Sequence, residues 1–339
     1  MLTRRSVLPL PALLSLWPSL AEAADVPILR LATVAPDGTP WSDGLQRFKK
    51  LVEAAVPGRI SIRPFLGGVL GDENETVVSC QRGQIEGVGA STGALSSVVP
   101  ELAVLELPYL FRSPVEADHI LDTVVLADLE LAFKNRGLVL GFWSENGNRC
   151  FGTNFGFVTS PAALKGHKMR SQESGVHIQM YRAFGASPVP IPVTEVLTSM
   201  QTGVIDGYDN TPLFSMAAQW TSATKFFTIT NHIYQPAAIV FNKTWFDGLP
   251  ADLRTALLGA RGGLVQEMRK MIRALTPDLV ANLGYMDIAV HELTPAERAT
   301  FDAPAKAARD AYMAGASAGE KALLAKIVAG LAAYRASHP

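Results

Sequence analysis

The stretch Ile28–Phe65, ILRLATVAPDGTPWSDGLQRFKKLVEAAVPGRISIRPF, decides the fold class. Ile28 to Val34 is an apolar, strand-like run. Trp41, Leu45, Phe48, Leu51, Val52 and Ala55 then recur at helical spacing, and RISIRPF (59–65) is strand-like again. The alternation continues downstream. GDENETVVSCQRGQ (71–84) is a helix whose early acids suit the positive end of its dipole. IEGVGAS (85–91) and LVLGFWS (138–144) are buried strands, with helical material from Pro114 to Phe133 between them. This βαβα rhythm predicts an α/β domain built on a largely parallel sheet.

A second series starts near Gly147. KGHKMRS (165–171), SPVPIPV (187–193) and VIDGYDN (204–210) are short strands separated by helical segments at 176–184 and 194–202. AAIVFN (237–242) is another strand, followed by a long helical region from Pro250 to about Asn282 and by DIAVHEL (287–293). Thr294-Pro295-Ala296-Glu297 has the form of a capping box, and the Ala-rich tail is helical to Ala336. With no flexible tether between the series, two α/β lobes joined by several crossings and separated by a cleft are expected. The first lobe comprises 24–147 with 236–275, the second 148–235 with 276–339.

The N-terminus reads as an export signal. Arg4 and Arg5 precede the apolar run Val7–Leu20, and Ala21-Glu22-Ala23 offers a cleavage site, so 1–23 is a signal peptide. Thr3-Arg4-Arg5-Ser6-Val7-Leu8 also resembles a twin-arginine signal, which leaves both export routes open. Removing these residues takes away Arg4, Arg5 and Glu22 and leaves a net charge of −2 on 316 residues. That balance argues against nucleic acid or an anionic membrane surface as a partner. The expected mature protein is soluble, periplasmic and monomeric. Cys80 and Cys150, the only cysteines, are expected to be free and buried.

The chemistry-bearing motifs are few. Six histidines show no metal-ligand spacing, the acids at 72–75 lack the spacing of a calcium loop, and GGVLGD lacks the lysine of a P-loop. No metal or cofactor is called for. Gly89-Ala90-Ser91-Thr92-Gly93 matches G-x-S-x-G after a strand, which keeps a secreted serine hydrolase as an alternative. The other reading is a strand-end loop that lines a cleft. Arg149, in ENGNRC, and Arg170, in LKGHKMRSQES, both stand at strand ends near the crossover. Each is either a solvated surface group or a fork for an external carboxylate, which lysine does not reproduce. If Met169 faces a core, strand alternation turns Arg170 to the opposite face. Lys165 and Lys168 are surface charges around a turn at Gly166.

Several segments together resemble the periplasmic solute-binding subunits of TRAP transporters, the DctP family. GVLGDENETV, LELPYLF, FWSENGNR, LKGHKMR, GASPVPIPVTEV, LTSMQTGVIDGYDN and KFFTITNHIY each match a family segment, in order, from about Leu29 to the last helix. The resemblance implies two lobes closing over an organic acid in a binding protein, not an enzyme, that docks on TRAP permease membrane subunits. It also implies roles. Arg170 falls on the carboxylate-clamping arginine, Arg149 on a second ligand-facing arginine, and Asn210 on the asparagine that shares the carboxylate. Glu73 and Ser91 fall on first-lobe positions that contact the rest of the ligand. Glu195, Asp206, Gly207 and His232 are architectural. A periplasmic sensor partner binding the same acid is a further alternative. Val193 stands where sialic-acid-type members carry an aromatic residue, Asp209 where glutamate is commoner, and Val34 replaces a polar contact. GNRCFGTN is one residue longer than in some relatives, so the resemblance does not fix the aim of Arg149. A smaller or less hydroxylated acid than sialic acid is expected.

Overall fold

A computed structural model describes residues 26–259 and 261–338. The expected signal peptide lies outside the described residues. β1 (Ile28–Ala32), β2 (Ser61–Phe65) and β3 (Gly87–Ser91) form parallel ladders in the order β2-β1-β3. Helix α1 (Pro40–Ala55) crosses between β1 and β2, and Thr39 and Ser42 cap its start reciprocally. Trp41, Leu45, Phe48 and Val52 bury one face of α1 in a core shared with Ile62, Phe142 and Phe241, while Leu51 faces solvent. Helix α2 (Glu73–Gln81) follows its N-cap Asp72.

Two strands run through the whole molecule. β4 (Leu138–Thr153) and β8 (Phe226–Asn242) pair antiparallel from Leu138 opposite Asn242 to Thr153 opposite Phe226. The sequence reading stopped the first at Ser144 and began the second at Ala237, because the middle of each looks unlike a buried strand. Ser144 to Arg149 is a polar run, and Pro236 has no N–H for a ladder. The structure accommodates both. Register shifts fall between Leu140 and Phe142, Glu145 and Gly147, and Arg149 and Phe151, and Pro236 lies opposite Glu145 beside the second of them. The two charged side chains of the run are buried among partners of their own, Glu145 with Arg273 and Tyr234 and Arg149 with Asp209 and Gln235.

Among the described residues the sheet runs β2-β1-β3-β8-β4-β7-β5-β6, where β5 is Lys168–Ser171, β6 is Ser187–Pro190 and β7 is Gly207–Asn210. β9 (Ala289–Glu292) pairs with β8. The expectation of a largely parallel sheet is corrected. β3–β8, β8–β4 and β4–β7 are antiparallel, and the parallel ladders are confined to β2-β1-β3, β7-β5-β6 and β8-β9. The second-lobe strands are also shorter than expected. β6 keeps Pro188 and Pro190 by lying at the sheet edge, where a missing N–H costs no ladder bond.

Each lobe covers both faces of its part of the sheet with helices, giving two buried clusters per lobe. The helix Arg261–Tyr285 links them. Leu264, Met268 and Ile272 pack into the first lobe, Leu283 packs into the second, and Pro277 lies between. Arg273 ties this helix to Asp118 at 2.7 Å and to Glu145 of β4 at 2.6 Å. The sequence reading gave 276–339 to the second lobe, but packing divides that segment. Phe301, Ala305 and Ala308 join Met180 and Tyr181 in the second lobe, whereas Leu323, Ile327 and Leu331 of the helix Ala318–Ser337 enter a first-lobe core. Amphipathic periodicity shows that a helix buries a face but not which lobe receives it.

Candidate ligand-binding site

The crossover of β4 and β8 is the floor of a small cavity between the lobes. Its second-lobe wall starts from strand alternation. A turn at Gly166 (φ +84°) feeds β5; Met169 is fully buried in the core beside Phe151, and Arg170 emerges on the other face. Arg170 lines the cavity and is only 3% exposed. Its Nε–H donates to the Ile191 carbonyl at 2.9 Å, and its guanidinium carbon lies 5.9 Å from the centre of the Trp220 ring. No carboxylate lies within 4 Å of it among the described residues. Burial, and then the nearby Arg149 charge, shift its pKa below the ordinary guanidinium value. A buried cation without a counter-charge is costly, so both terminal amino groups are available to an external anion. Asn210 adds a donor: its Oδ1 accepts from Thr211 N–H at 2.8 Å, which leaves Nδ2 free at the cavity wall.

Arg149 lines the same cavity but is committed inward. Its Nε donates to Asp209 Oδ2 at 2.5 Å, one terminal nitrogen to the Asp209 carbonyl, and the other to Gln235 Oε1 at 2.8 Å. Asp209 also accepts from Tyr181 at 2.8 Å and lies 3.3 Å from His232 Nε2. Burial works to raise the Asp209 pKa, but the Arg149 charge and the His232 bond outweigh it and hold the carboxyl well below its ordinary range. Burial keeps His232 below its ordinary value, hence neutral. Because Asp209 only accepts, His232 Nε2 carries the proton, and Nδ1 accepts from Thr230 at 2.7 Å. His232 stacks on Phe151, with ring centres 4.3 Å apart. Arg149 therefore helps to hold Asp209 under the cavity.

The first-lobe wall carries Glu73, at the start of α2. Glu73 accepts from the Ser91 backbone N–H and from the Ser91 hydroxyl, both at 2.9 Å. Burial above all, with the Asp72 charge behind it, raises its pKa to about 7 against the opposing Ser91 bonds. Ser91 sits behind Glu73 and is 2% exposed. Its hydroxyl accepts from Gln172 at 2.7 Å and from the Ala94 N–H, and its φ of −62° is unstrained. No histidine is among its partners. The Ser91–Gln172 bond crosses between lobes, as do Asp72 to Val193 N–H at 2.9 Å, Asn74 to Glu173 at 2.9 Å and His177 to Glu106 at 2.7 Å.

The sequence and the fold match known proteins. The family model for DctP, bacterial extracellular solute-binding protein family 7, matches residues 31–315. The chain belongs to the DctP family. A solute-binding protein of Verminephrobacter eiseniae is 34% identical, over 71% of this chain and 72% of that one. The C4-dicarboxylate-binding periplasmic protein DctP of Rhodobacter capsulatus is 30% identical over 89% of this chain and 92% of its own. The crystal structure of a TRAP periplasmic solute-binding protein from Citrobacter koseri, with bound D-glucuronate, superposes with a TM-score of 0.81. It is 29% identical, and the match covers 89% of this chain and 98% of that one.

Of the residues expected from the DctP resemblance, the structure brings Arg170, Arg149, Asn210 and Glu73 to one cavity and sets Ser91 behind it. Val34 and Val193 line it as small apolar walls, joined by Trp41 and Phe214. Asp206 holds the start of β5 through the Lys168 N–H at 2.8 Å, away from the cavity. Sequence reasoning missed Gln172 and Gln235. Gln235 Nε2 donates to Glu106 and Gln172 at 2.9 Å each, and so joins the two lobes. Its signal was a lone Gln-Pro pair inside an apolar stretch. Cys80 and Cys150 are both free and buried.

Proposed function

We propose that this chain is the exported solute-binding subunit of a TRAP-type transporter, which closes two lobes around a small organic acid and presents it to membrane permease subunits. Arg170 carries the reading: a buried guanidinium without a carboxylate partner among the described residues, in a cavity between lobes. A ligand carboxylate would take its two terminal amino groups as a fork, with Asn210 Nδ2 as a third donor. Walls contributed by both lobes give the ligand more contacts in the closed state, and that differential affinity is what drives closure. The periplasmic names of relatives support export, and family membership supports the permease partner. Ser91 is read as a support for Glu73 and not as a nucleophile, so the ligand leaves unchanged.

A thermal-shift screen of mono- and dicarboxylates, sugar acids and keto acids tests this. A ligand at about 100 times its Kd stabilises the fold by about 2.7 kcal/mol. Arg170→Ala is expected to weaken the best hit at least about tenfold, since each charge-assisted bond contributes roughly 1.5–3 kcal/mol. Equal stabilisation of variant and wild type would remove the clamp role.

A further inference from the structure

Three buried side chains, Gln235, Gln172 and Ser91, join Arg149 to Glu73, and the direction of each bond between them is forced. Arg149 only donates, so the Gln235 atom it meets at 2.8 Å is the amide oxygen, which Asn146 Nδ2 also reaches at 3.0 Å. Gln235 Nε2 then donates to Glu106 and to Gln172 Oε1, at 2.9 Å each. That turns Gln172 Nε2 toward Ser91 Oγ, at 2.7 Å, and the Ala94 N–H takes the second lone pair of the same oxygen at 3.2 Å. With both lone pairs occupied, the Ser91 hydroxyl is left only its proton to give, and it gives it to Glu73 Oε2 at 2.9 Å.

We infer that Gln172 and Gln235 are positioning residues that act through Ser91: when the lobes close, they make its hydroxyl a donor only and so hold Glu73 as a hydrogen-bond acceptor. This rests on the lobe-closure reading above. Gln172 belongs to the second lobe, Ser91 and Glu73 to the first, so the chain is complete only in the closed form. With the lobes apart, Ser91 regains a lone pair and can accept a bond from a protonated Glu73. The distinction matters because Glu73 titrates at about 7, where both of its forms are populated. Asp72 and Glu106 face Glu73 with like charge, and Arg149 and Arg170 line the same cavity. His177 bonds to Glu106 and His232 to Asp209, and neither reaches Ser91. None of these groups decides which way the Ser91 proton points.

Isothermal titration across neutral pH, with D-gluconate, D-glucuronate and succinate as probes, tests this. In a plot of log Kd against pH, the inflections that Glu73→Gln removes belong to Glu73, one for the free protein and one for the complex. Gln172→Met fills the space but cannot donate. It should move the inflection of the complex up by at least about half a pH unit, because a neutral Glu73 can then donate to Ser91, and leave that of the free protein in place. In a Ser91→Ala background the same substitution should shift it by less than about 0.2 units. Gln235→Met, at a position that bonds to neither Ser91 nor Glu73, should move it in the same direction by freeing the Gln172 amide to turn. An unmoved inflection in Gln172→Met, or an equal shift without the Ser91 hydroxyl, overturns the inference and leaves lobe closure standing. If none of the probes binds, the lobe-closure reading fails and the inference with it. Both results are independent of Arg170→Ala, which tests the carboxylate clamp alone.

Discussion

Arg149 and Arg170 are both buried arginines lining one cavity, yet removing them should have opposite consequences for stability. Arg149→Met strands Asp209, whose low pKa depends on that cation, and should cost about 3–5 kcal/mol in urea unfolding. Arg170→Met removes a charge with no carboxylate beside it among the described residues and should leave the fold as stable as wild type or more so, while ligand binding is expected to be lost. Glu73 gives a pH signature. Its carboxyl titrates at about 7 in the fold and near 4.5 when unfolded. Between those values the native state holds more protons than the unfolded chain, so this group's effect on stability becomes less favourable as pH rises from about 4.5 to 7. Asp72 and Glu106 face it with like charge, and Ser91 opposes them with its N–H and hydroxyl bonds. Glu73→Gln abolishes the titration. Its Tm relative to wild type should therefore rise between pH 5 and pH 8, and an unchanged difference would rule out the raised pKa.

At the scale of elements, the crossover strands set the geometry of the site. Gly147 lies in β4 at the register shift between Glu145 and Gly147, with φ of +102°. An added Cβ would meet only Thr211 Cγ2, at 3.9 Å, so the position requires glycine for its backbone and not for space. Gly147→Ala should cost about 1–3 kcal/mol as backbone strain, read from chemical denaturation. Gly207 in β7 is the opposite case. A Cβ there would lie 2.7 Å from the Gly152 carbonyl oxygen on the adjacent strand, and backbone does not swing aside. The two glycines fix β4 and β7 where Arg149 reaches Asp209.

For the whole molecule, closure is held by few direct bonds, which suits a site that must reopen. Gln172 joins Ser91 of the first lobe and Gln235 of the shared strand β8. Asn74 reaches Glu173 at the exposed rim. Gln172→Ala should weaken ligand binding mainly through a faster off-rate, because encounter with the open form does not use these bonds. Stopped-flow kinetics would separate the two rates; a slower on-rate with an unchanged off-rate would exclude a latch role. The helix Arg261–Tyr285 spans both lobes beside the floor, anchored through Arg273 to Asp118 and Glu145, so reopening must occur around it.

The alternation of apolar strands and amphipathic helices determined the α/β class, because periods of 2 and 3.6 are local properties of the chain. The same alternation put Arg170 opposite Met169, and the turn at Gly166 was equally local. The order of family-like segments determined the two-lobe architecture and named four of the residues that line the cavity. Only the tertiary structure decided the rest. Polar Ser144–Arg149 and Pro236 hide two continuous strands, since buried charges such as Glu145 and Arg149 are stable only when partners distant in sequence satisfy them. Asp209, Gln235, Arg273 and Tyr234 are those partners. Likewise, the sequence shows two arginines of equal standing. Which one is neutralised within the protein depends on the pairing of β4 with β7, which brings Arg149 to Asp209 across 60 residues of chain and leaves Arg170 without a carboxylate partner among the described residues.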